Sequence, residues 1–113
     1  MRAYINRVIL DVVRRYDIDG VHFDDYFYPY PEAKKVIEDQ AAFARHNPGN
    51  LPLSDWRRQN VNLLIRDLHD SIRSAKRWVK FGISPFGVWR NQRTDPNGSD
   101  TRAFEGADRL SFE

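Results

Sequence analysis

Two adjacent acids, Asp24 and Asp25, end a short apolar stretch and are followed by a run of aromatic residues. The surrounding segment, residues 17–31, reads DIDGVHFDDYFYPYP and starts with acids and a glycine that favour a turn. A carboxylate in such a place can act as a general acid, a general base or a nucleophile, and neighbouring rings can stack on a ligand. The pattern therefore predicts a site that the other elements of the chain must position.

Residues 21–24 are predicted to form a short strand that ends at the two acids. Successive side chains of a strand point to opposite faces, so His22, Asp24 and Tyr26 share one face and Asp25 lies on the other. Adjacent strand residues cannot both enter one pocket. We therefore expect Asp24 to be the catalytic carboxylate, with Asp25 orienting the loop or a neighbouring base within the substrate-binding region.

His22 and Asp24 interrupt what should be a continuous apolar run, because a parallel strand covered by helices is buried on both faces. Residues that break this run at the carboxyl end of a barrel strand are where chemistry is found. The structural alternative is that the two side chains only hydrogen-bond to each other and to the backbone. A metal site is the weaker interpretation, because no second histidine lies at ligand spacing, and we expect no metal and no cofactor.

Aromatic and basic residues in two predicted loops could bind a sugar. Tyr26, Tyr28 and Trp89 can offer ring faces to it, with Tyr26 and Trp89 preferred, and Arg90 can pair with a substrate carboxylate or an internal acid. The alternative is that these rings only bury area at the rim of the domain. Glycoside hydrolysis needs a second carboxylate from another strand, and the sequence does not choose among the acids of the second loop: Asp95, Asp100, Glu105 and Asp108.

Hydrophobic periodicity predicts the elements that position these residues. They are a helix over 2–16, the strand over 21–24, a weaker helix over 32–45, an irregular stretch over 46–52, a long helix from an N-cap at Ser54 to about 76, a strand over 78–84 and a long final loop. Alternating helices and strands predict an α/β fold with a parallel sheet, in which both strands end at the same edge.

Composition narrows the class of protein. The 113 residues carry a net charge of +2 from 18 basic and 16 acidic residues, and the basic doublets, such as Arg57 with Arg58, are expected to be solvated helix faces. The basic residues do not form the long stripe of positive charge that would indicate a nucleic-acid partner. There is no cysteine, no apolar run of membrane-spanning length and no apolar segment typical of a signal peptide.

Three segments resemble the glycosyl hydrolase-like 10 family: INRVILDVVRRYD, YDIDGVHFDDYFYPYP and DWRRQNVNLLIRDLHDSIRSAKRWVKFGISPFGVWRN, which together reach Asn91. The resemblance implies carbohydrate-active (β/α)8 barrels of bacterial envelopes. It also implies a substrate, because characterised relatives cleave peptidoglycan glycan strands stripped of stem peptides. An extracytoplasmic location follows from the same resemblance.

The resemblance also implies that residues 1–113 are one central fragment of the barrel, a partial TIM barrel with about two of its eight strands. The family has an earlier strand with a glutamate thought to be catalytic, and this sequence has no such stretch. The segment is similar, as a pattern only, to the D-G-x-R-x-D strand of the α-amylase clan. There Asp24 occupies the nucleophile position and His22 the arginine position.

Three functions remain open at this point. The chain is part of a glycoside hydrolase in a longer parent and inactive alone, or a carbohydrate-binding module without catalysis, or a structural remnant. The expected partner is a polysaccharide or oligosaccharide. A homo-oligomer is a further expectation if the fragment folds alone, since a partial barrel leaves strand edges unpaired.

Overall fold

The computed structural model describes residues 1–24, 27–28, 37–84 and 96–97. Within them the elements are α1 (Arg2–Arg15), β1 (Gly20–Phe23), α2 (Gln40–Arg45), α3 (Leu53–Ala75) and β2 (Lys80–Ile83). Two compact units share the chain: a first unit of Met1–Asp25 with Val61–Pro85, and a second unit of Tyr26–Asn60 with Phe86–Glu113. The mixture of helices and strands confirms the α/β class.

The two strands pair in parallel, with Gly20 opposite Lys80 and Phe23 opposite Ile83. The ladder continues beyond the last pair, because the Ser84 N–H donates to the Phe23 carbonyl at 2.9 Å. This pairing confirms the predicted parallel sheet. It also brings the carboxyl ends of both strands to the same edge, where the predicted site residues begin.

The core of the first unit lies between α1, α3 and one face of the sheet. Val13, Ile72 and Val79 are almost completely buried there. Helical spacing on α1 and α3 directs one apolar stripe of each helix inward, and alternation directs every second strand residue against them. The partly buried residues packed on this cluster are Ile9, Leu10, Ile18, Val21, Ala75 and Phe81.

The apolar stripe of α1 is wider than its buried face. Ile9 and Val13 pack inward, but Val8, Val12 and Tyr16 are 45%, 39% and 60% exposed. The described elements cover only one flank of the predicted stripe.

The minor helix is shorter than predicted. Residues 37–39 are not helical and α2 starts at Gln40, while 32–36 lie outside the described residues. Its inward apolar residue is Phe43, whereas Ala41 and Ala44 are exposed. The ring of Phe43 packs edge to face on Trp56, with centroids 5.4 Å apart. A large aromatic contact outweighs the small area that an alanine can bury.

Two predicted boundaries shift by one or two residues. Ser54 is inside α3 and is not its N-cap, because the Trp56 N–H donates to the Pro52 carbonyl at 2.9 Å and the helix begins at Leu53. The second strand begins at Lys80, and Trp78 is 62% exposed in the turn before it. The irregular stretch over 46–52 is confirmed.

Candidate functional site

The first candidate region is the face of the sheet that points away from the core. Val21 packs on the buried cluster, and the rings of Phe23 and Phe81 meet edge to face with centroids 5.4 Å apart. His22 and Asp24 are exposed, and alternation puts both on the opposite face. The predicted alternation is confirmed, and it leaves an imidazole and a carboxylate accessible at the end of β1.

The imidazole of His22 contacts the neighbouring strand. Its Nε2 lies 2.9 Å from Oγ of Ser84, the residue that follows β2. Either atom can donate in this hydrogen bond, and in a neutral ring the other nitrogen then takes the opposite role. Ser84 was not among the predicted site residues. The parallel register is the signal that could have found it, since residues on one face of adjacent strands interact.

Gly82 leaves the space in which this ring lies. A Cβ at this position would come within 3.1 Å of His22 Nδ1, which is tighter than ordinary van der Waals contact. His22 and Gly82 are directly paired in the register. Glycine at the facing position therefore lets the ring lie close to the β2 backbone. We call the surface made by His22, Asp24, Gly82 and Ser84 the open sheet face.

Asp24 is the first residue after β1 and is exposed on the open sheet face. The strand holds its backbone, because the preceding carbonyl, that of Phe23, accepts a hydrogen bond from the Ser84 N–H. A carboxylate placed in this way can accept hydrogen bonds, exchange a proton or attack an electrophile. An exposed imidazole on the same face can donate to or accept from a hydroxyl group.

The second candidate region belongs to the other unit and surrounds Tyr28. This side chain is half-buried, and the guanidinium carbon of Arg57 lies 6.0 Å from the centre of its ring. Burial raises the pKa of Tyr28 above its ordinary value of 10.0, and a hydrogen bond with Asn60 opposes that shift. The charge of Asp39 raises the pKa further, and that of Arg57 lowers it. The phenol therefore stays neutral in the ordinary pH range.

Arg57 and Asp39 form a buried ion pair. Nε and Nη2 of Arg57 donate to the two carboxylate oxygens of Asp39, each at 2.7 Å, and the two side chains are only 7% and 13% exposed. These hydrogen bonds raise the pKa of Arg57 above its already high ordinary value. Two parallel bonds between planar groups fix orientation as well as distance. The expectation that Arg57 lies on a solvated helix face is therefore wrong.

A hydrogen bond also joins the start of α3 to the end of α2. The indole N–H of Trp56 donates to the His46 carbonyl at 2.8 Å, which satisfies an acceptor just beyond the helix end. The neighbouring Arg58 pairs with Asp55 one turn away, on the more exposed side of the helix. Adjacent arginines of identical appearance in the sequence thus have different surroundings. We call Tyr28, Asp39, Trp56 and Arg57 the clamp cluster.

The structure places three of the seven predicted site residues. His22 and Asp24 lie together on the open sheet face of the first unit, and Tyr28 belongs to the clamp cluster of the second unit. The other four, and all the candidates for the second carboxylate, lie outside the described residues: Asp25, Tyr26, Trp89, Arg90, Asp95, Asp100, Glu105 and Asp108. Their roles stay predictions.

Neither a metal cluster nor a membrane span is found in the part of the chain that the structure describes. Residues 1–24, 27–28, 37–84 and 96–97 hold no group of three or more histidine and acidic side chains that could bind an ion. No helix among them is both long and apolar enough to cross a membrane.

Comparison with known proteins shows the family of the chain. The sequence matches the family described as Glycosyl hydrolase-like 10 over residues 1–110. This match covers almost the whole chain. The chain belongs to the glycosyl hydrolase-like 10 family. The resemblance that the sequence motifs indicated is therefore confirmed, and with it the class of a glycoside hydrolase-like domain.

Named relatives agree with this family. The chain is 50% identical over 103 residues to "Glycosyl hydrolase YngK" of Bacillus subtilis strain 168, a match over 90% of this chain and 20% of that protein. It is 41% identical over 108 residues to "Glycosyl hydrolase DigH" of Escherichia coli K12, over 96% of this chain and 24% of that protein. The chain thus spans between a fifth and a quarter of the length of these relatives.

Proposed function

We propose that this chain forms part of the active site of a glycoside hydrolase that acts on bacterial polysaccharide, with peptidoglycan glycan strands as the substrate. One observation carries the proposal. His22 and Asp24 are exposed together on one face of a parallel strand pair, at its carboxyl end, while the other face packs on helices. Family membership and the names of both relatives support the reaction class.

The architecture that fits this placement is a partial (β/α)8 barrel, with residues 1–113 as one fragment that supplies about two of the eight strands. Helices α2 and α3 lie between the two parallel strands in the sequence, and the core lies on one side of the sheet. In a barrel the opposite side faces the interior, and active sites form at the carboxyl ends of the strands. The open sheet face would then line the interior near its catalytic end.

Asp24 is the proposed catalytic residue. Its carboxylate acts as the nucleophile or stabilises positive charge that develops on the sugar ring in the transition state. A second carboxylate from another strand serves as the general acid. The distance between the two carboxyl groups would set whether the anomeric configuration is retained or inverted.

The remaining predicted residues are proposed to bind the sugar. His22 offers a ring nitrogen to a hydroxyl group. Tyr28 contributes mainly its ring, because its hydroxyl is already hydrogen-bonded to Asn60. The full proposed substrate-binding set is His22, Asp25, Tyr26, Tyr28, Trp89 and Arg90.

We propose peptidoglycan because the sequence resembles a family whose characterised members cut glycan strands that lack stem peptides. A substrate of this kind would place the protein in the cell envelope. Sugar rings with apolar faces and many hydroxyls suit a site that combines aromatic side chains with a carboxylate and an imidazole.

The test is the Asp24→Asn variant in the full protein that carries this chain, with release of reducing ends from denuded glycan strands as the readout. We expect a loss of about a thousandfold or more, because the amide has no negative charge and is a poor nucleophile. Asp19→Asn is the matched control, since Asp19 is an exposed acid just before β1. Its turnover should be unchanged.

Two outcomes would contradict the proposal. Turnover by Asp24→Asn equal to that of the wild type would remove Asp24 from the catalytic role. Wild-type protein that binds denuded strands without releasing reducing ends at any pH would favour the alternative of a non-catalytic carbohydrate-binding module.

A further inference from the structure

We infer that Ser84 is a positioning residue for His22, and that together with Gly82 it selects Nδ1 of His22 as the atom that bonds a substrate hydroxyl group. This inference rests on the proposed function for its ligand. Its structural part, the fixed ring and the choice of nitrogen, stands on contacts between β1 and β2 alone.

The first contact is the hydrogen bond between Nε2 of His22 and Oγ of Ser84, at 2.9 Å. Ser84 is itself fixed, because its N–H donates to the Phe23 carbonyl at 2.9 Å and extends the sheet ladder. The hydroxyl is therefore held at the level of the strand end, two residues beyond the glycine that faces His22. This hydrogen bond occupies one of the two nitrogens of the ring.

The second contact concerns the other nitrogen of the ring. Nδ1 lies beside Gly82, where any Cβ would come within 3.1 Å of it. Within the described residues, Nδ1 has no hydrogen-bond partner, and the side chain is exposed. A larger residue at 82 would push the ring away or cover this nitrogen. Glycine thus leaves the space that the ring needs to keep this orientation beside β2.

The two contacts together determine what the ring can offer. In a neutral imidazole one nitrogen donates and the other accepts, so the role of Nε2 toward Ser84 fixes the opposite role for Nδ1. A sugar hydroxyl can fill either role, which makes a polyhydroxylated ligand the chemical class that this arrangement suits. A substrate-binding histidine held in this way loses little orientational freedom when the ligand arrives.

The experiment uses 15N-labelled chain and reads the shifts of both ring nitrogens, which report the tautomer of each histidine. We expect the tautomer populations of His22 to change in Ser84→Ala and to return to those of the wild type in Ser84→Thr, which keeps the hydroxyl. Ser74→Ala, at an exposed position of α3, should leave His22 unchanged. His46 and His69 provide internal references in every sample.

A second variant tests the glycine. In Gly82→Ala the added methyl group should displace the ring, which removes the nuclear Overhauser contact between the His22 ring proton on Cε1 and the α-protons of residue 82. The structure puts Cε1 at 3.9 Å from the ideal Cβ position, so the contact is within range in the wild type. Ser84 is exposed, and Gly82 lies on the same face of the sheet. Neither Ser84→Ala nor Gly82→Ala should therefore unfold the chain.

Turnover of denuded glycan strands by the full protein provides the functional part of the test. We expect Ser84→Ala to lower kcat/KM by on the order of three- to tenfold, the value of one hydrogen bond, and Ser84→Thr to restore it. The inference is overturned if His22 has the same tautomer distribution with and without the Ser84 hydroxyl. It is also overturned if Ser84→Ala loses the tautomer preference yet cleaves at the wild-type rate.

The inference and the proposed function can fail separately. Wild-type protein that cleaves no glycan contradicts the proposed function and with it the ligand assigned to Nδ1. The tautomer measurement needs no glycan, so it decides the positioning role of Ser84 independently of that result.

Discussion

The open sheet face and the clamp cluster both contain polar side chains in hydrogen-bonded pairs. The two regions differ in the burial of these side chains and in the number of hydrogen bonds within each pair. On the open sheet face, His22 meets Ser84 through one bond and both residues are exposed. In the clamp cluster, Arg57 and Asp39 share two bonds and are only 7% and 13% exposed. On the open sheet face, the exposed imidazole can still form a hydrogen bond with a ligand through Nδ1. In the clamp cluster, the two hydrogen bonds join parts of the chain that are 18 residues apart.

This difference separates function from stability. A buried charge must be paired because desolvation is costly, so removing one partner affects folding. An exposed group on a strand can be changed at little cost in stability, so its value lies in what it contacts from solution. We therefore expect loss of the Arg57–Asp39 pair to destabilise the chain and variants of the open sheet face to leave its stability nearly unchanged.

The largest effect on stability is expected from Asp39→Ala. It removes the carboxylate that pairs with the buried Arg57 guanidinium, which should lower the free energy of unfolding by about 3–5 kcal/mol. A urea melt of the chain measures this change. Asp55→Ala is the matched control, because its pair with Arg58 is more exposed, and it should cost less than about 1 kcal/mol.

A double variant sharpens this prediction. Arg57→Met with Asp39→Leu removes both charges and keeps apolar volume, so most of the stability lost in Asp39→Ala should return. If the double variant is as unstable as the single one, the pair has a role beyond charge compensation. If Asp39→Ala itself changes stability by less than about 1 kcal/mol, the clamp cluster does not hold the chain.

A smaller loss is expected from Trp56→Phe, which keeps most of the ring but removes the donor to the His46 carbonyl. Leaving that acceptor unsatisfied should cost about 1–3 kcal/mol, measured by the same urea melt. Trp78→Phe is the control, because Trp78 is 62% exposed, and its cost should stay within about 0.5 kcal/mol. Equal losses in the two variants would contradict the structural role of the indole N–H.

The pKa of Tyr28 gives a prediction about pH. Its folded-state pKa is raised above 10.0, mainly by burial, so the folded chain keeps a proton that the unfolded chain releases. The stability that depends on the neutral phenol is present below the ordinary tyrosine pKa and decreases as pH rises through the raised value. Alkaline titration followed by phenolate absorbance should show a late component that disappears in Tyr28→Phe. A titration curve that Tyr28→Phe does not change would contradict the shift.

The smallest effect on stability is expected on the open sheet face. His22→Ala removes one exposed hydrogen bond, so the free energy of unfolding should change by no more than about 0.5 kcal/mol. The urea midpoint measures it. A loss comparable to that of Asp39→Ala would mean that His22 is a structural residue, and the contrast between the two regions would fail.

Much of the fold was predictable because local patterns determine it. The 3.6-residue spacing of apolar residues in α1 and α3 and the alternation around His22 depend only on neighbours in the sequence. The helix-strand order predicted the parallel sheet, which the pairing of Gly20 with Lys80 confirms. Element ends were less accurate, because Pro52, rather than Ser54, provides the first carbonyl of α3.

The site was predictable only in part, since its remaining contacts depend on tertiary structure. Asp24 and His22 stand out in the sequence because polar residues end an apolar strand. Ser84 becomes visible only when the register of two distant strands is known. Nothing in the doublet of Arg57 and Arg58 distinguishes a buried arginine from a more exposed one, because the partner of Arg57 lies 18 residues away.

The Asp24→Asn variant decides whether Asp24 on the open sheet face has a catalytic role that is independent of stability. Turnover of denuded glycan strands and the free energy of unfolding should be measured on the same preparation of the full protein. We expect Asp24→Asn to lose turnover by about a thousandfold or more, while its free energy of unfolding stays within about 0.5 kcal/mol of the wild type. Wild-type turnover in a folded Asp24→Asn protein would contradict it.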